Sequence, residues 1–147
     1  MPDLPRTQSA ALPGHLIRRL HQRSTKVFGE ATRAAGFDLT PVQYVALDAL
    51  RENAGIDQAG LAKAIAKDRA TTGSVLDRLA HKGLITRQIN RQDKRARHLA
   101  LTPAGDRLIA AMTPVVEALQ NDILPGLSPE EYQQFIALAA KATSNDE

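Results

Sequence analysis

The sequence contains no cysteine and no tryptophan. Without cysteine there can be no disulfide, thiolate zinc site, iron–sulfur cluster or thiol switch. The aromatics are only Phe28, Phe37, Tyr44, Tyr132 and Phe135. That is too few for the base-stacking platform of a single-stranded RNA reader. No segment approaches the ~18 uninterrupted apolar residues of a membrane span. The first 30 residues lack the apolar core of a signal peptide, so the chain is expected to be soluble and cytoplasmic, with no membrane partner. Val and Ile, the main strand formers, total 14. No Ser-His-Asp arrangement, phosphate loop, paired carboxylates or nucleotide fingerprint is present, which argues against an enzyme. His15, His21, His81 and His98 are scattered and form no ligand spacing for a metal, and no cofactor is implied.

Alanine and leucine are abundant, with 24 Ala and 18 Leu in 147 residues. Both favour helix, so a mainly α chain is expected. The net charge of +3 hides a strong asymmetry. Residues 61–97 hold ten basic and three acidic side chains, a local charge of +7, and the remainder carries −4. Clustered cations raise the local potential and gain by releasing counterions from a polyanion, so this quarter of the chain is a candidate phosphate-binding surface.

Pro2, Pro5 and Pro13 mark an N-terminal arm over residues 1–13. A helix is expected from Gly14 to Ala35, with Leu16, Leu20, Val27, Ala31 and Ala34 on one stripe and Ile17, Phe28 and Ala35 beside it. Gly36 reads as its left-handed stop. Thr40-Pro41 opens a second helix to Glu52, with Val42, Val45, Ala46, Ala49 and Leu50 inward. A short helix from Gln58 to Ala66 buries Leu61, Ala62 and Ile65. The next, from Arg69 to Lys82 and ended by Gly83, buries Val75, Leu76, Leu79 and Ala80. The period then changes to that of two strands, 84–89 and 97–101, joined by a charged tip. Thr102-Pro103 starts a long helix to Ile123, which Pro114 should kink or re-start. Ser128-Pro129-Glu130-Glu131 fits a capping box for a last helix to Thr143, with Tyr132, Phe135, Ile136, Leu138 and Ala139 available for packing.

A short helix, a turn, a second helix and a hairpin make a winged helix–turn–helix, whose second helix enters the major groove. On that helix Arg69, Thr71, Ser74 and Arg78 face outward near the N-terminal half, with Thr72 and Gly73 at the margin. Hydroxyls can bond phosphates or base edges, and Arg can fork onto guanine. Arg91, Lys94, Arg95 and Arg97 in the hairpin can reach flanking phosphates or the minor groove. Double-stranded DNA is therefore the expected partner.

The ordered motifs resemble the MarR family of transcription regulators. The resemblance rests on Leu39-Thr40-Pro41-Val42-Gln43-Tyr44, Gln58, Leu61-Ala62, Asp77-Arg78-Leu79 and Lys82-Gly83-Leu84-Ile85. Asp93-Lys94-Arg95-Ala96-Arg97 matches the D-x-R-x-R wing motif, and Leu101-Thr102-Pro103-Ala104-Gly105 the L-T-x-x-G that follows. The resemblance covers residues 14–142. It implies a mainly α fold with a small β-hairpin wing: a winged helix–turn–helix lobe (39–102) between N-terminal (14–38) and C-terminal (103–147) dimerisation helices. It implies a homodimer on a palindromic operator, with half-sites about 10 base pairs apart. It further implies that Asp93 and Arg97 orient the wing and that Arg95 reaches the minor groove.

Members of the family often release DNA when a small ligand, frequently an anionic aromatic, binds between the dimer region and the DNA lobe, and the absence of cysteine excludes their thiol-oxidation branch. His21 and Ser24 interrupt the apolar face of the first helix, and Arg18 and Tyr44 are close in sequence or on the next helix. An apolar slot with a cation and a hydroxyl or imidazole suits an aromatic carboxylate; the other reading of His21 is an interface or core histidine bonded to a backbone carbonyl. The expected function is a repressor released by such a ligand, with some likeness to MarR repressors of aromatic-acid catabolism. An effector-independent DNA-binding or architectural protein using the same lobe is the alternative.

Overall fold

The computed structural model describes residues 8–65, 68–89 and 97–144. After a short 3-10 turn, the elements are α1 (Pro13–Ala34), α2 (Pro41–Glu52), α3 (Gln58–Ala64), α4 (Arg69–His81), β1 (Ile85–Ile89), β2 (Arg97–Leu101), α5 (Pro103–Ile123) and α6 (Pro129–Thr143). The described chain is thus mainly helical with one antiparallel hairpin, as the composition led one to expect. No helix among the described residues is long and apolar enough to cross a membrane. Two compact units are present: the described residues up to Val27 together with those from Glu117 onward, and Phe28–Val116. The division falls inside α1 and inside α5.

The helix starts are built by local chemistry. Thr40 Oγ1 accepts from the Gln43 amide at 3.2 Å, and Gln43 Oε1 accepts from the Thr40 amide at 3.0 Å. Ser128 and Glu131 make the same reciprocal pair at α6, at 3.1 and 2.9 Å. Two otherwise orphaned amides are satisfied at each start, and Pro41 and Pro129 follow where a missing N–H costs nothing. Gly36 and Gly83 close α1 and α4 at φ of 85° and 73°, a left-handed conformation that glycine adopts without strain.

The core of the 28–116 unit is aliphatic. Leu47, Leu61, Leu76, Leu79, Ile109 and Met112 are fully buried, and Leu99 brings the hairpin into the same interior. Leu61, Ala62 and Ile65 of the α3 region are buried as the periodicity required. Three expectations need correction. In α2 the buried stripe is Gln43, Ala46, Leu47 and Leu50, while Val45 is 44% exposed. The capping side chain of Gln43 folds back over the first turn, and Leu47 and Leu50 continue its face at helical spacing. In α1 only Phe28 and Thr32 are buried, and Thr32 Oγ1 donates to the Phe28 carbonyl at 2.7 Å. The expected stripe residues Leu16 and Ile17 remain exposed. Third, of the two outcomes expected at Pro114, a kink or a re-start, the re-start does not occur, since α5 runs through it as one helix. Met112 and Val116, buried on either side, belong to one stripe with Ile109 and Leu119, so packing holds both halves in register across the missing amide.

In the other unit, α6 has no buried residue although it carries Tyr132, Phe135, Ile136 and Leu138. Leu12, Leu16 and Ile17 are exposed as well. A groove of about 640 Å³ runs between α1, the end of α5 and α6, lined mainly by aliphatic and aromatic side chains.

Candidate nucleic-acid interface

The helix–turn–helix begins with two aspartate caps. Asp57 accepts from the Gly60 amide at 2.7 Å and starts α3. Asp68 starts α4, accepting from the Thr71 amide at 2.7 Å and from Thr71 Oγ1 at 2.9 Å. These bonds, the backbone one foremost, hold the Asp68 carboxyl below the usual carboxylate range.

The outward face of α4 carries Thr71, Ser74 and Arg78, all exposed and spaced to lie on one side. Both hydroxyl protons are already engaged, Thr71 with Asp68 and Ser74 with the Ala70 carbonyl at 3.3 Å. In this arrangement each hydroxyl offers lone pairs, so it can accept from the exocyclic amines of adenine or cytosine. Arg78 lines a cleft of about 580 Å³ with Asp38, Thr40, His81 and Lys82. Lys82 Nζ is held there, donating to the Asp38 carbonyl at 2.7 Å.

Thr72, placed at the margin of the DNA-facing surface from sequence, is instead fully buried. It stands one turn before Leu76 and two before Leu79, so it belongs to the inward stripe. Its hydroxyl has no hydrogen-bond partner among the described residues. The helix's own spacing contained that signal, but the polarity of threonine argued the other way.

The hairpin pairs Ile85 with Leu101, Arg87 with Leu99 and Ile89 with Arg97. It is pinned to the loop before α3 in two places. The Leu99 amide donates to the Ile56 carbonyl at 3.0 Å, and the His98 ring donates from Nδ1 to the Gly55 carbonyl at 2.7 Å. It is also tied to α4 by an ion pair between Arg87 and Asp77, which sequence reasoning did not anticipate. Of the remaining expected DNA contacts, Arg91, Lys94 and Arg95, with the wing-orienting Asp93, lie outside the described residues. So do the side chains of Arg69 and Arg97, whose backbones open α4 and β2.

The expected ligand residues are not all brought together. His21 and Ser24 line the groove of the terminal unit. Arg18 is exposed and is not part of its lining. Tyr44 belongs to the 28–116 unit, where its ring lies 6.3 Å from that of Phe28, centroid to centroid. Thr113 Oγ1 donates to the Ile109 carbonyl at 2.7 Å, so its contact with the Tyr44 hydroxyl at 3.1 Å requires Tyr44 to be the donor. Among the described residues, no three His, Asp or Glu side chains are grouped to hold a metal ion.

The MarR family model matches residues 39–96, the segment from α2 through β1 that ends just before β2. The transcriptional regulator HosA of Escherichia coli is 32% identical over 127 residues, spanning 86% of this chain and 91% of HosA. The chain belongs to the MarR family. This MarR-family chain is also 33% identical over 134 residues to the repressor NicR of Pseudomonas putida, covering 91% of this chain and 84% of NicR. A solved structure of BpsR from Bordetella bronchiseptica, whose DNA binding is regulated by 6-hydroxynicotinic acid, superposes with a TM-score of 0.86. It is 31% identical and covers 96% of this chain and 99% of that one. The α2–α3–α4–β1–β2 segment is accordingly the winged helix of a transcription regulator of the MarR family.

Proposed function

We propose that the chain is a homodimeric repressor that binds a palindromic operator and leaves it when a small aromatic carboxylic acid binds. The observation that carries the DNA-binding half is the exposed face of α4, where Thr71, Ser74 and Arg78 stand together beside a hairpin fixed to the same lobe. MarR-family regulators bind DNA as dimers, and a two-fold dimer presents two such faces to two half-sites. Arg69, Arg91, Lys94, Arg95 and Arg97 add the phosphate contacts, and Asp93 steadies the wing.

The dimer reading is supported by α6, a 15-residue helix with apolar side chains and none buried, and by exposed Leu12, Leu16 and Ile17. Exposed apolar side chains gathered in one unit are what a second copy covers. The ligand reading is supported by His21 and Ser24 on an otherwise apolar groove wall and by the likeness to BpsR and NicR. An aromatic ring fits the apolar surface, and imidazole and hydroxyl can bond its carboxylate.

The test is enrichment of duplexes from a random-sequence pool, followed by titration of the enriched duplex–protein complex with 6-hydroxynicotinic acid, other aromatic carboxylates and an aliphatic carboxylate. The expected result is an enriched inverted repeat bound by two chains and released by an aromatic acid but not by the aliphatic one. Failure to enrich any duplex overturns the DNA reading. Enrichment with no release by any aromatic acid overturns the effector reading and favours the effector-independent alternative.

A further inference from the structure

Two surfaces of the lobe have to present themselves to DNA at one fixed angle, the α4 face and the hairpin. The covalent connection between them is the short turn Lys82–Leu84, centred on Gly83 at φ 73°. A second connection crosses the gap directly. Arg87 of β1 forms an ion pair with Asp77 of α4, ten residues away in sequence. Strand alternation puts Arg87 on the same side of the hairpin as buried Ile85, and its cross-strand partner Leu99 is 1% exposed. The guanidinium is therefore held against the lobe rather than free to sweep through solvent, and its side chain is only 25% exposed. Its Nε–H is buried with no partner among the described residues. Among the described residues, Asp77 is the one acidic side chain recorded in an ion pair with this part-buried cation. On α4, Asp77 directly precedes Arg78 and stands three positions after Ser74, inside the outward face itself.

Resting on the DNA-binding reading above, we infer that Asp77 and Arg87 form a strut that sets the angle between α4 and the wing, and that both are positioning residues for sequence-specific binding rather than contacts to DNA. A carboxylate on a DNA-facing helix repels phosphate, so a strut predicts opposite effects on two kinds of duplex. Replacing Asp77 by Asn removes one negative charge and loosens the angle. Binding to an unselected duplex depends on charge, and it should hold or strengthen. Binding to an enriched duplex depends on α4 and the wing docking together, and it should weaken.

The experiment measures both affinities for the wild type, Asp77→Asn, Arg87→Gln and the double variant, with the enriched duplex and an unselected duplex of equal length. Thermal melting is recorded alongside. For Asp77→Asn the expected result is an affinity for the enriched duplex lower by about ten-fold, the scale of a single disrupted readout element. Affinity for the unselected duplex should be equal or higher, and the melting curve close to that of the wild type. The double variant should lose no more selectivity than the worse single one, because both changes break the same pair. If Arg87→Gln does not fold, Asp77→Asn decides alone. For Asp77→Asn, parallel weakening on both duplexes marks a general structural role and overturns the strut. Parallel strengthening marks a purely electrostatic one and also overturns it, as do selectivity losses that multiply in the double variant. A wild-type chain that enriches no duplex overturns the DNA-binding reading and this inference with it, whereas enrichment followed by a parallel change overturns this inference alone.

Discussion

Gly105, in the first turn of α5, packs directly on the backbone of Leu84 at the start of the hairpin, so closely that a β-carbon there would overlap the Leu84 carbonyl oxygen. Thr102 fixes this approach. Its amide donates to the Leu84 carbonyl at 3.0 Å, its hydroxyl donates to the Gly83 carbonyl at 2.6 Å, and the same oxygen caps the Gly105 amide at 3.0 Å. The Leu-Thr-x-x-Gly motif is thus a joint that seats α5 against the exit of α4.

Gly105→Ala is therefore expected to destabilise the chain. The obstacle is a backbone carbonyl that also accepts a hydrogen bond, so relief requires moving the helix, and overpacking of this kind costs roughly 1–3 kcal/mol or more. Gly14→Ala is the control, since a β-carbon there meets nothing within 4 Å. It should be neutral or stabilise by up to about 1 kcal/mol through helix propensity. Urea unfolding of the two variants checks both signs, and equal effects would remove the joint.

Thr72 yields a prediction of the opposite sign. Its hydroxyl is buried without a partner among the described residues, while its methyl belongs to the stripe of Leu76 and Leu79. Thr72→Val keeps the shape and removes the stranded polar group, so it should stabilise by about 1 kcal/mol. Thr72→Ala also deletes a buried methyl and should not share that gain in full. Because the residue does not reach the surface, affinity for an enriched duplex should stay within about two-fold of the wild type for the valine variant. A large loss of binding at unchanged stability would return Thr72 to the DNA-facing side.

The sequence carried the elements because their boundaries are written in adjacent residues. Thr40-Pro41 with Gln43, Ser128-Pro129 with Glu131, and Gly36 and Gly83 each signal a start or stop through contacts within a few positions. What it did not carry depends on what lies opposite. Val45 looked inward and Leu47 did not, because the face α2 buries is set by Gln43 turning back to cap Thr40 and by the core it meets. Thr72 looked polar, and only the packing of α4 shows that its hydroxyl is enclosed. The Asp77–Arg87 pair joins a helix to a strand, and no periodicity within either element announces it. At the candidate interface, Thr71, Ser74 and Arg78 were legible because they are what the apolar stripe leaves over. Tyr44 and His21 were read together because Tyr44 stands on the helix that follows the one carrying His21, yet they belong to different units.

The caps at Asp68 and Glu131 give a pH dependence with a definite sign. Both carboxyls titrate below their ordinary range, Asp68 through its bonds from Thr71 and Glu131 through its bonds from Ser128, the backbone bond leading in each case. A depressed folded-state pKa means that the ionised form is favoured by folding. The contribution is then fully present above the unfolded-state pKa and is lost as pH falls through the folded value. Wild-type stability should accordingly exceed that of Asp68→Asn and Glu131→Gln at neutral pH, with each difference fading in acid. Urea unfolding of the three proteins across this pH range checks it, and a difference that grows toward acid would reverse the assignment.

The last prediction separates phosphate contact from base reading. Arg95 is proposed for the wing, and Arg78 stands exposed on α4. A residue that neutralises one phosphate contributes about one counterion to the salt dependence, so Arg95→Ala should weaken binding to all duplexes alike and flatten the slope of log K against log salt by about one. Arg78 also offers a planar fork on the groove-facing helix. If it is bidentate to guanine, Arg78→Ala should relax preference at one position per half-site by roughly 1–3 kcal/mol and leave the other positions unchanged. Competition among single-base variants of the enriched duplex, repeated at several salt concentrations, distinguishes the two patterns. A uniform loss for Arg78→Ala would make it a phosphate contact, in keeping with its place in the cleft beside His81 and Lys82. An unchanged affinity for Arg95→Ala would remove that residue from the interface.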